Sequence, residues 1–109
     1  MTKAQIRTLD RFVREQMRKR GRCEKCGTRS NLQVSHIYSR RYISIRHHPL
    51  NMFLLCAGDH LMWHHKPTEA VEWAKKKLGE AKWRALKQLA DNIGAGKVLS
   101  PEQVKAWWG

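Results

Sequence analysis

The chain lacks any apolar run of about 18 residues, the length a helix needs to cross a bilayer, so no membrane span is expected. Its N-terminal stretch also lacks the apolar centre of a signal peptide, because charges recur every few residues from Lys3 to Arg22. Acidic residues are scarce: 9 Asp and Glu stand against 22 Lys and Arg, a formal net charge of +13 on 109 residues. Such an excess on one small domain gives a strongly positive surface, and the usual partner of that surface is a polyanion, above all nucleic acid. Cysteines number three, too few for a disulfide framework. In a reducing cytoplasm, the default compartment here, they read as metal ligands. Internal repeats and low-complexity segments are absent.

What is present divides the chain into three parts of a single domain, 1–109. Residues 2–20 read as a basic amphipathic helix. Thr2 and Gln5 have capping-box spacing, and Ile6, Leu9, Phe12, Val13 and Met17 form one apolar stripe. Arg7, Arg11, Arg14 and Arg18 stack on the opposite face, where they can meet phosphates. Gly21 ends the helix. Residues 22–66 hold a tight cysteine turn, "RCEKCGTRS", and two short strands, Asn31 to Ile37 and Asn51 to Cys56. A long basic and aromatic loop joins the strands, and a helix follows from about Ala57 to His65, stopped by Pro67. Residues 68–108 read as further helices. Thr68 can cap one with Val71, Ala74 and Leu78 inward, until Gly79 interrupts. Trp83, Leu86, Leu89 or Ala90, and Ile93 give the next stripe. "GAGK" is a break. "SPEQ" is a capping box opening a last short helix, which ends in the exposed-looking pair Trp107 and Trp108.

Two constellations carry chemistry. Cys23 and Cys26 form a CxxC followed by glycine, and Cys56 lies at the junction of strand and helix. Tetrahedral zinc wants a fourth ligand, and a helix start offers Asp59 at i+3 or His60 at i+4; spacing and zinc's preference favour His60. The second constellation is histidine. His36 lies near the end of the first strand, Asn51 opens the second, and His60 and His64 sit one turn apart on the helix, an arrangement that can hold a metal.

The order of these residues resembles the HNH endonucleases of the ββα-metal fold. Their D-H…N…C-x-x-C-H pattern stands here as Ser35-His36…Asn51…Cys56-Ala57-Gly58-Asp59-His60. More narrowly, "LQVSHIYSRRYISIRHHPLN" with the helical stretch after it looks like the phage NinG (Rap) recombination nucleases. The resemblance implies an α+β fold: a small ββα-metal core with a structural zinc knuckle, flanked by an N-terminal helix and C-terminal helices. It makes His36 the general base, Asn51 the residue that steadies the hairpin and orients His36, and His60 and His64 ligands of the catalytic ion. Structural zinc then falls to Cys23, Cys26, Cys56 and Asp59. Two positions depart from the pattern: Ser35 replaces an acidic or histidine ligand, and Asp59 replaces the fourth zinc cysteine.

The implied function is metal-dependent hydrolysis of DNA phosphodiesters, on branched or recombination-intermediate DNA, in the cytoplasm of a bacterial host. Arg40, Arg41, Tyr42 and Arg46 of the loop are expected to grip the backbone and stack on unpaired bases. Imidazole ligation at His60 and His64, with the loop His48 as a candidate third, favours Mn²⁺, Co²⁺ or Ni²⁺ over Mg²⁺. Concerted cutting of two strands would call for a homodimer. The rival expectation is a non-catalytic, zinc-stabilised DNA-binding module, which the loss of an acidic ligand at Ser35 favours. A weaker one is a structural partner in a phage packaging or recombination complex, docking through Trp107 and Trp108.

Overall fold

Five α-helices and one two-stranded antiparallel sheet make up the described part of the chain, residues 1–92 and 99–109 of a computed structural model. In order they are α1 (Lys3–Arg18), β1 (Leu32–His36), a 3-10 turn (Pro49–Asn51), β2 (Met52–Cys56), α2 (Ala57–His65), α3 (Pro67–Leu78), α4 (Glu80–Asn92) and α5 (Pro101–Ala106). The fold is therefore mixed α+β. Ile93 of the expected stripe and the "GAGK" break lie outside the described residues. Among the described residues, no helix is long and apolar enough to cross a membrane.

Local chemistry accounts for most element boundaries. Thr2 and Gln5 cap α1 reciprocally, and Ser100 and Gln103 do the same for α5, with Pro101 at its first position. Leu9, Val13 and Met17 bury one side of α1, while Arg7, Arg11, Arg14 and Arg18 stay exposed on the other. Gly79 separates α3 from α4 at φ 84° and ψ 160°, a region essentially confined to glycine that costs a residue with a Cβ about 1–3 kcal/mol.

Burial organises the sheet. Strand side chains alternate between faces, and in β2 both faces are covered. Met52 and Leu54 pack with Val13 and Met17 of α1; Phe53 and Leu55 pack with Cys23 and Ala74, beside Trp63 and Trp73. That is why "MFLL" is continuously apolar, each fully buried side chain stabilising by ~1.5–3 kcal/mol. The outer edge of β2 is closed by Glu24, whose backbone N–H donates to the Leu54 carbonyl at 2.8 Å and whose carboxylate accepts from Leu54 N at 2.6 Å. Arg20 ties the end of α1 to the same strand through the Met52 carbonyl, 3.1 Å. In β1, His36 lies opposite Met52 and shares the α1 face; Ser35 lies opposite Phe53 and shares the α2 face.

Three expectations about the C-terminal half need correction. Thr68 does not cap α3: the helix begins at Pro67 with Lys66 at the cap and no side-chain cap bond, since proline needs no N–H partner there. Val71 is 42% exposed, and α3 buries Ala70 in its place, together with the expected Ala74. Docking through small residues leaves room for Trp63 and Trp73, which meet Phe53 edge-on. Trp107 and Trp108 are half-buried rather than an open docking end. The Trp108 indole donates to the His47 carbonyl at 2.9 Å, and the Trp107 ring lies 4.7 Å from that of His48.

Candidate active site

The cysteine turn is set by its backbone. Cys23 N donates to the Thr28 carbonyl at 2.8 Å and Gly27 N to the Cys23 carbonyl at 2.9 Å, with Gly27 at φ 83°. This points both thiols at the start of α2, where Cys56 is the helix cap and Asp59 lies in the first turn. Cys23, Cys26, Cys56 and Asp59 thus converge, their donor atoms all within 4.8 Å of one another. The Cys26 and Cys56 sulfurs are 3.7 Å apart, and the Asp59 carboxylate accepts from the Cys23 and Cys56 thiols at 3.1 and 3.3 Å. Zinc with sulfur ligands at about 2.3 Å places neighbouring sulfurs about 3.8 Å apart along a tetrahedral edge, so the donor set is compatible with a structural metal. Of the two candidates for fourth ligand, Asp59 joins the cysteines. His60 does not, because its ring is engaged elsewhere.

His60 Nδ1 meets Ser35 Oγ at 2.6 Å, and His60 Nε2 lies 3.2 Å from His64 Nε2. Two imidazole nitrogens on one ion at about 2.0–2.1 Å stand about 2.9 Å apart at a right angle and about 3.4 Å apart at the tetrahedral angle, so this pair fits a shared metal. Ser35 is buried and reaches the ring of His60 from behind, fixing its rotation. His48, the expected third imidazole, is elsewhere: its Nδ1 accepts from Leu50 N at 3.1 Å and its ring faces Trp107.

His36, at the end of β1, lines a cleft of about 300 Å³. Arg14 and Arg18 of α1, Arg40 and Arg46 of the loop, and His60 of α2 line it too. His36 Nε2 lies 3.0 Å from the Arg46 carbonyl. A carbonyl only accepts, so Nε2 carries the proton and Nδ1 keeps the lone pair in the neutral ring. Burial, reinforced by the charges of Arg40, Arg46 and His47, outweighs that hydrogen bond and pushes the His36 pKa down to about 4. Trp63 holds the same residue's backbone, its indole donating to the His36 carbonyl at 3.0 Å.

Asn51 is fully buried and pins the loop. Its Oδ1 accepts from Tyr38 N at 2.7 Å, and its Nδ2 donates to the Tyr38 and Ile45 carbonyls at 3.1 and 3.2 Å. It therefore steadies the segment that carries Arg46. Arg46 itself is not a free cation, since Asp10 holds its guanidinium through Nε at 3.0 Å and Nη2 at 2.7 Å. Arg7 and Arg11 are exposed on α1 but lie outside the cleft lining, as do Arg41 and Tyr42. Tyr42 meets Tyr38 edge-on at 5.2 Å.

Sequence reasoning misses Asp10, His47 and Trp63, and takes Ser35 only as a lost ligand. An aspartate amid the arginines of α1 is the one hint it offers. No protein-family model, curated protein or solved structure matches the chain.

Proposed function

We propose that the chain is a metal-dependent DNA endonuclease of the HNH type. In this reading β1, β2 and α2 form its ββα-metal core, and Cys23, Cys26, Cys56 and Asp59 hold structural zinc. The observation that carries it is His36: a neutral imidazole with its Nε2 on the Arg46 carbonyl, in a cleft it shares with three arginines besides Arg46, namely Arg14, Arg18 and Arg40, and with His60. Arg14, Arg18 and Arg40 supply the charge that draws a phosphodiester into the cleft. His36 accepts a proton at Nδ1 from a water, the water oxygen bonds to phosphorus, and the bond from phosphorus to the 3′ oxygen breaks, that oxygen taking a proton from solvent. His60 and His64 would hold a divalent ion, which would supply Lewis-acid stabilisation of developing negative charge. Asn51 contributes by holding the loop. The resemblance to phage recombination nucleases makes branched DNA the proposed substrate class, inside the bacterial host.

Supercoiled plasmid incubated with Mn²⁺, Co²⁺, Ni²⁺ or Mg²⁺ tests the reading. Wild type is expected to nick or linearise it in an ion-dependent way, with the transition metals ahead of Mg²⁺. One observation favours the rival module without catalysis: Ser35 faces His60, which leaves two imidazoles to hold the ion. That rival predicts salt-sensitive DNA binding and intact plasmid with every ion.

A further inference from the structure

Asp10 has no place in the sequence pattern, yet its carboxylate is the meeting point of two consecutive loop residues. Its Oδ1 accepts from Arg46 Nε at 3.0 Å and from His47 Nε2 at 2.7 Å, and its Oδ2 accepts from Arg46 Nη2 at 2.7 Å. Between those two residues lies a single peptide group, and its carbonyl is the one that receives His36 Nε2. We propose that Asp10 is a positioning residue for His36, acting through the Arg46–His47 peptide; the catalytic part of this rests on the reading of His36 as the general base.

The clamp works through backbone geometry. A peptide group is planar, so the direction of the Arg46 carbonyl is set by the backbone rotations on either side of it. The side chains on both sides are tied to one carboxylate on a different element, α1. The partners are held in place: the side chains of Arg46, His47 and Asp10 are 18%, 2% and 26% exposed. The Trp108 indole then takes the next carbonyl, that of His47, and Asn51 takes the preceding one, that of Ile45. Three successive carbonyls, Ile45, Arg46 and His47, therefore each have an assigned partner, and the middle one decides which nitrogen of His36 carries the proton. Without the clamp the carbonyl can turn away, the Nε2–H loses its acceptor, and the ring is free to populate the other tautomer. A bidentate carboxylate also draws the Arg46 guanidinium away from DNA phosphates.

The test uses zinc-loaded protein, with Asp10→Asn as the main variant. Its first readout is independent of cutting: the imidazole ¹⁵N spectrum at neutral pH, which reports the His36 tautomer. Wild type is expected to show Nε2–H alone, and Asp10→Asn a mixture. Cutting at saturating protein should fall by about 10- to 100-fold, the scale of a misplaced catalytic group. DNA affinity should hold or rise, because the variant loses a negative charge beside the cleft. If Asp10→Asn fails to fold, Arg46→Ala opens the clamp from the other side and should mix the tautomers in the same way. A folded Asp10→Asn or Arg46→Ala with the wild-type tautomer overturns the proposal, whatever its cutting rate. A wild type that cuts nothing, while Asp10→Asn mixes the tautomers, upholds the clamp and overturns the nuclease reading instead.

Discussion

Ser35 shows how one residue can change meaning between sequence and structure. As a letter in the motif it is a missing ligand. In the fold it is a buried hydroxyl 2.6 Å from His60 Nδ1, behind the nitrogen that faces His64. Partners of this kind hold a ligating imidazole in one tautomer and orientation, and their loss typically costs about 10–100-fold in metal affinity. Ser35→Ala is therefore expected to weaken Co²⁺ or Ni²⁺ binding at the histidine pair by about 10-fold or more, read by calorimetry on zinc-loaded protein. Ser35→Asp is expected to move the preference for cleavage toward Mg²⁺, because a carboxylate offers the hard oxygen that Mg²⁺ favours. Unchanged affinity in Ser35→Ala would show that the hydroxyl does not support the ligand.

At the scale of elements, the sequence is most legible where a local rule acts alone. The two capping boxes, the apolar stripe of α1, the strand pair and the bounds of α2 all follow from neighbours within a few residues. It is least legible where docking between elements decides. Periodicity assigns Val71 to the core of α3 along with Ala74, but docking buries Ala70 beside Ala74 and leaves Val71 exposed. It also puts four arginines on one face of α1, which is so, without showing that only Arg14 and Arg18 of the four line the cleft. Replacing Arg14 and Arg18 by Ala should therefore lower the slope of log affinity against log salt by about 0.9 for each phosphate no longer neutralised, and replacing Arg7 and Arg11 should lower it less. Equal effects would return the whole helix face to the interface. The cysteine turn gives a second expectation at this scale. Protein purified without added metal should carry one zinc per chain, and Cys26→Ala should lose it together with much of the fold, as shown by elemental analysis and circular dichroism. A well-folded protein without zinc would remove the structural role of the cluster.

Across the whole molecule, the charge and the buried histidines set the behaviour in acid. Burial lowers His47 and His48 as well as His36. Unfolded imidazoles titrate near 6.5, so between that value and the folded pKa the unfolded chain binds more protons than the native one. Stability must then fall as pH drops from about 6.5 toward the value of about 4 that His36 has in the fold. Asp10 is lowered despite its burial, by Arg46 and His47, so its contribution is present above its unfolded pKa and is lost at still lower pH. The midpoint of urea unfolding should decrease from about pH 7 to about pH 5 while zinc remains bound, and a flat midpoint over that range would contradict neutral buried imidazoles. On the nuclease reading proposed above, the same shift leaves His36 deprotonated through the neutral range, ready to act as the base. The most direct test of that role is single-turnover cleavage of an end-labelled branched DNA in Mn²⁺, at protein concentrations that saturate binding, comparing wild type with His36→Ala. The expected result is about a 10²- to 10⁴-fold slower cut in His36→Ala, the range typical of a lost general base, with the same fraction of DNA bound. Cutting by His36→Ala at the wild-type rate would contradict the assignment of His36 as the base.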